Sequence, residues 1–148
     1  MSQLDVLKQI DVSILIDRKL YGGPVDQSLL NEIELKLNLK FSSEYVDFIK
    51  KYDGIFFGAY NIYGATDLVL IGCKLNSVAT ETLFYREQNW PGIENCYVIS
   101  DDGSGNPIYM DSDGKVWLSD HDSGFETILL ADSFNEFLIK IYEDRLYD

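Results

Sequence analysis

Residues 97–130 read YVISDDGSGNPIYMDSDGKVWLSDHDSGFETILL. Four short runs, YVIS, PIYMD, KVWLSD and FETILL, carry β-branched and aromatic residues. Three joints, DDGSGN, SDG and HDSG, carry almost nothing but Asp, Ser, Asn and Gly. Runs of that length and composition fit pleated strands, and such joints accept the tight backbone of hairpin turns. Joints this short allow only antiparallel pairing of successive strands. The stretch therefore predicts a four-stranded meander. Alternate turns of a meander fall at the same end of the sheet, so DDGSGN and HDSG should lie together, with SDG at the opposite end.

On the C-terminal side follows DSFNEFLIKIYED. Ser133 and Glu136 have the spacing of a capping box, with Phe134, Phe137, Leu138 and Ile141 on one face of the helix they start. Upstream, three helical patterns precede the strands. Leu4, Leu7, Ile10 and Ile14 mark the first, which Tyr21-Gly-Gly-Pro24 ends. Asp26 is placed to cap the second, whose apolar face is Leu30, Ile33 and Leu37. Ser42 is placed to cap the third, with Tyr45, Phe48, Ile49 and Tyr52 on one face, lysines in its last turn, and Gly54 set to end it in a left-handed conformation. IFFGAYNIYG (55–64) then reads as a strand, and DLVLIGC (67–73) as a short strand or irregular segment. Asn76 or Ser77 starts a helix that ends near Trp90-Pro91. No repeat or linker divides the chain. The expectation is one α+β domain over residues 1–148, an antiparallel sheet flanked by N-terminal helices and a C-terminal helix.

The 148 residues carry a net charge of −13. Such a surface repels phosphate backbones and anionic lipid, which argues against nucleic acid or a membrane as partner. The opening MSQLDVLKQIDV lacks the basic start and apolar run of a secretory signal. Cys73 and Cys96, both in apolar surroundings, are accordingly read as buried free thiols of a cytoplasmic protein.

Candidate chemistry is sparse. Asp120, His121 and Asp122 could suggest a metal, but neighbours on an extended chain point in alternate directions and no second histidine exists. Counted as an EF-hand from Asp111, the loop meets Lys115 at position 5 and Val116 at position 6. Counted from Asp101, it has glycines at positions 3 and 5. A loose calcium on the Asp-rich turns is the ion-binding alternative that spacing leaves open. GSGN lacks the Lys of a phosphate loop, and Ser104 is not in a nucleophile-elbow pattern. No catalytic residue, cofactor or metal site is assigned, and the chain reads as a non-enzyme. The aromatics Tyr45, Tyr52, Phe56, Phe57, Tyr60, Tyr63, Tyr109 and Trp117 are mostly core. Those left at the surface beside carboxylates would suit protein contacts.

Four segments in order carry a resemblance: IELKLNLKFSSEYVDFIKKYDG, the aromatic IFFGAYNIYG, YVISDDGSGNPIYMD, and ADSFNEFL. Together they resemble the SUKH superfamily, which contains bacterial immunity proteins and fungal cell-wall-synthesis regulators. The match spans about Asp26 to Tyr142. Ser42 stands where the family usually has proline, and Asp53 where asparagine is common. The resemblance implies a non-enzymatic α+β domain that binds another protein. In bacteria that partner is typically the toxin domain of a polymorphic or contact-dependent system. The alternative it implies is a regulatory or scaffold domain for an endogenous protein.

From Val98 onward lie twelve acidic and three basic residues. Joined to the resemblance, this makes the acidic turns the expected contact surface for a basic, nuclease-type toxin. The candidate partner-binding residues are Asp101, Asp102, Tyr109, Asp111, Asp113, Trp117, Asp120 and Asp122.

Overall fold

A computed structural model describes residues 2–148 of the chain. Helices α1 (Gln3–Ile16), α2 (Gln27–Leu37) and α3 (Ser43–Tyr52) come first. Two small hairpins follow, β1 (Ile55–Phe57) with β2 (Tyr60–Ile62), and β3 (Leu68–Leu70) with β4 (Cys73–Leu75). Helix α4 (Val78–Glu87) leads into the meander β5 (Tyr97–Asp101), β6 (Pro107–Met110), β7 (Val116–Asp120) and β8 (Glu126–Ala131), and α5 (Phe134–Tyr142) ends the order. The α+β class and the C-terminal meander are as the sequence predicts.

Serine hydroxyls start four of these helices, Ser2 Oγ accepting from the Asp5 amide (3.2 Å) at α1. Ser42 Oγ accepts from the Tyr45 amide (3.2 Å), Ser77 from Thr80 (3.1 Å) and Ser133 from Glu136 (3.1 Å). Each satisfies a donor that the first helical turn leaves orphaned, worth about 1 kcal/mol. Two expectations about helix ends change. Asp26 occupies the N-cap of α2 but makes no side-chain cap bond. Glu136 pairs with Lys140 one turn on (3.5 Å), so only the serine half of the expected box forms.

The end of α3 also differs. The left-handed residue is Asp53 (φ 57°), not Gly54. Asp53 is buried, and its carboxylate accepts the amides of Ala65 (2.6 Å) and Thr66 (3.1 Å), which offsets the strain of that backbone. Gly54 is there for room: a Cβ would stand 2.9 Å from Leu75 Cδ2.

IFFGAYNIYG is a hairpin rather than one strand. Phe57 pairs with Tyr60, and Gly58 (φ 61°) takes the first turn position. DLVLIGC is half of a second hairpin that turns at Ile71-Gly72. That turn leaves Cys73 exposed at its tip, contrary to the buried thiol expected, while Cys96 is buried.

The meander order is β5-β6-β7-β8, with irregularities at Val98/Ser100 and Val116/Trp117. Residues alternate between its faces. One face carries Tyr97 and Met110 and meets α3 and α5 through an aromatic knot. Tyr45 lies 5.4 Å from Tyr97 and 5.3 Å from Phe134, and Phe41 lies 4.8 Å from Tyr97. Such pairs add about 0.5–1.5 kcal/mol each beyond burial. The other face carries Tyr109, Trp117 and Ser119. The segment after α4 covers part of it, with Trp90 Nε1 donating to Ser119 Oγ (2.8 Å). The β1–β2 hairpin lies beside β5, where Tyr63 N donates to Ile99 O (2.8 Å). The result is a meander packed on both faces over β5 to β7, with the first four residues of the edge strand β8 exposed.

Candidate functional site

The turn between β5 and β6 is built by its own aspartates. Asp101 Oδ1 accepts the Gly103 amide (2.7 Å). Asp102 Oδ1 accepts those of Ser104 (2.8 Å) and Asn106 (3.1 Å). Short acidic side chains thus satisfy backbone donors that a turn exposes. The turn after β7 repeats the device. Asp120 caps a 3-10 turn over His121–Ser123, accepting the Asp122 amide (2.9 Å) and the Ser123 hydroxyl (3.2 Å).

The two turns touch, as alternation in a meander requires. Asn106 Nδ2 donates to Asp102 Oδ2 (2.7 Å) and reaches Asp120 Oδ1 (3.4 Å). Its Oδ1 accepts the His121 amide (2.9 Å) and faces His121 Nδ1. Asp101, Asp102, Asp120 and Asp122 therefore stand at one end of the sheet. Asp122 is exposed and the other three are half-buried. Tyr63 fixes Asp101 from behind, its hydroxyl donating to Asp101 Oδ2 (2.5 Å). Burial first, and that bond second, push the Tyr63 phenol well above its ordinary range, so it acts as a permanent donor.

The remaining candidates separate from this cluster. Asp111 and Asp113 form the opposite turn, where Asp111 accepts the amides of Asp113 (2.9 Å) and Lys115 (3.0 Å) and the Trp117 indole (2.8 Å). Trp117 is half-buried beside them. Tyr109 is a correction: it is 4% exposed under the segment after α4, with no ring surface to offer.

One sequence argument also fails. The reasoning that adjacent residues diverge holds for extended chain, but the 3-10 turn brings ligand atoms of Asp120, His121 and Asp122 within 4.8 Å of one another. Those groups are engaged in the turn itself: Asp120 in capping, His121 Nδ1 with Asn106, and His121 Nε2 with Asp122 Oδ1 (3.3 Å). In the groove between α1, α3 and α5, Asp11 is paired with Lys51 (3.1 Å) and the Tyr52 hydroxyl, and Glu44 accepts the Asn135 amide (2.9 Å). These carboxylates hold helices together.

Sequence reading missed an aromatic row beside the acidic turns. Phe84, Tyr85, Trp90 and Phe125 contact one another edge to face, with centroid spacings of 5.2, 5.0 and 5.1 Å. Phe125 reads as the first residue of the last strand. It stands instead in the turn, at φ 63°.

A family model, SUKH_5, described as SMI1-KNR4 cell-wall, matches residues 5–143. The chain belongs to the SUKH superfamily. No curated protein matches it. Among the described residues, five α-helices around antiparallel sheets, ending in a four-strand meander, agree with a SUKH domain. SUKH membership is compatible with an immunity protein and with an SMI1/KNR4-like regulator, and the superfamily is generally non-enzymatic. Among the described residues, no helix of this SUKH domain is long and apolar enough to cross a membrane.

Proposed function

We propose that this SUKH domain is an immunity protein that binds and neutralises a protein toxin, a basic nuclease-type domain fitting it best. The observation that carries this reading is the pair of acidic turns tied side by side through Asn106 on a rigid sheet, in a chain of net charge −13. A nuclease must attract phosphate, so its substrate surface is positive. Carboxylates presented together meet that same surface. Long-range attraction raises the association rate, and turns already ordered by their own hydrogen bonds lose less entropy on docking.

The SMI1-KNR4 description favours a second reading, a regulatory or scaffold domain for an endogenous protein. Co-expression with the toxin encoded beside the gene separates the two. An immunity protein rescues growth and co-purifies with the toxin. Replacing Asp101, Asp102, Asp120 and Asp122 together by Asn preserves side-chain acceptors while removing charge. That variant is expected to associate about tenfold more slowly at low salt, with a flatter salt dependence. An unchanged association rate would remove the electrostatic reading, and failure to rescue would leave the regulator.

A further inference from the structure

Between the end of α4 and the turn after β7 lies a groove of about 480 Å³. Phe84, Tyr85, Trp90, Pro91 and Phe125 line it, with Gly105 of the first acidic turn at its edge. Phe84 is 51% exposed and Phe125 42%. Large aromatic rings standing in water beside a polar loop mark a contact surface more often than a core defect. Phe125 adds a second sign. A bulky residue at φ 63° costs about 1–3 kcal/mol, and glycine would close this turn more cheaply. The strained backbone holds the Phe125 ring against Trp90.

Resting on the reading of a basic protein partner, we propose that this groove is the anchor socket of the binding surface and that its occupant is an arginine side chain of the partner. The aromatic row is edge to face throughout, with interplanar angles of 85°, 89° and 84°. The partly exposed Phe84 and Phe125 rings still present surface to solvent, and π-faces attract cations. The acidic turns adjoin the groove, and its own lining is uncharged. Gly105 belongs to the turn of Asp101 and Asp102, and Phe125 follows the turn of Asp122. Burial first, and the charges of Glu81, Asp101 and Asp102 after it, push the Tyr85 phenol up to about 12. Among the described residues, no basic one lines the groove. Arg86, adjacent in sequence, is occupied with the carbonyls of Leu37 (2.8 Å) and Cys96 (3.5 Å).

An aliphatic anchor would fill the space and leave the carboxylates unmatched. Lysine would bring charge as a strongly hydrated point. Arginine stacks its flat, weakly hydrated guanidinium on a ring and still pairs with carboxylate.

The chain has two tryptophans, Trp90 in the groove and Trp117 bonded to Asp111 of the opposite turn. Their indole N–H signals in the ¹⁵N-labelled protein form a built-in pair of probe and control. Titration with hexa-arginine at low salt should shift the Trp90 signal saturably and leave that of Trp117 in place. Hexa-lysine should bind several-fold more weakly. Phe84→Ala with Phe125→Gly, the glycine suiting the left-handed backbone, should weaken hexa-arginine about tenfold. An unmoved Trp90 signal, or a double variant that binds like wild type, overturns the proposal. If the four-Asn variant loses both peptides while the groove variant loses neither, the acidic surface stands and the socket falls. If the four-Asn variant still shifts Trp90 as wild type does, the socket stands and the electrostatic reading falls.

Discussion

Asn106 Oδ1 accepts the backbone N–H of His121 at 2.9 Å, and through that bond the turn after β5 holds the turn after β7. The residue is 3% exposed. Its amide nitrogen serves Asp102 at 2.7 Å and Asp120 at 3.4 Å, so one buried side chain spaces two carboxylates that would otherwise repel. Asn106→Ala removes the donor and strands the His121 amide. It is expected to destabilise the protein by about 2 kcal/mol in urea unfolding. It should also raise hydrogen exchange in both turns together. Exchange rising in one turn alone would show that they are not coupled through Asn106.

Gly64 packs directly against the Asp53–Gly54 peptide. A Cβ there would stand 2.2 Å from Gly54 N and 2.3 Å from the Asp53 carbonyl carbon. No side chain can swing away to relieve that contact. Gly64→Ala is expected to cost about 3 kcal/mol or more. Gly72→Ala is the control. Its Cβ meets nothing within 4 Å, and only the φ of 76° opposes it, for about 1 kcal/mol. Equal destabilisation of the two variants would contradict the packing argument.

The cysteines should differ in reactivity. Cys73 is exposed at a hairpin tip, whereas burial pushes the Cys96 thiol up to about 11. A raised thiol pKa lowers the thiolate fraction at neutral pH, and the thiolate is the nucleophile. A disulfide reagent should therefore label one thiol rapidly in the native protein and the second only on unfolding. Cys73→Ser should abolish the rapid phase.

Asp67 links acidity to the start of α4. Its carboxylate accepts the Ser77 amide (2.7 Å) and the Thr80 hydroxyl (2.9 Å), and the Ser77 bond is the main cause that holds its pKa below the ordinary aspartate value. A depressed folded pKa means that the ionised group stabilises the fold above the ordinary aspartate range. That contribution is lost as pH falls through the depressed value. Asp67 is largely exposed, so the effect is about 1 kcal/mol or less. Asp67→Ala should lower Tm at neutral pH, and its gap from wild type should close in strong acid. A gap independent of pH would mean that the charge contributes nothing.

The local part of this architecture is written in local patterns. The i, i+3, i+4, i+7 spacing of Tyr45, Phe48, Ile49 and Tyr52, and the Ser42, Ser77 and Ser133 caps, depend on residues within one or two helical turns. Chain order and short joints were enough to place DDGSGN beside HDSG, because a meander leaves no other arrangement. The two N-terminal hairpins were harder to see. Strands of three residues show barely one period of alternation, and Ile71-Gly72 carries none of the Asn-Gly or Asp-Gly chemistry that announces a turn.

Sequence by itself thus determined the class, the strand order of the meander and the shared end of the acidic turns. Tertiary structure alone decided which aromatics face water. Tyr109 sits on a strand whose alternation cannot say that the segment after α4 will cover it. Trp90 and Phe125 come from different elements, and their contact depends on a left-handed backbone at Phe125 that no local rule favours. Burial is set by what packs over a residue from elsewhere in the chain, and that information is not carried by its neighbours in sequence.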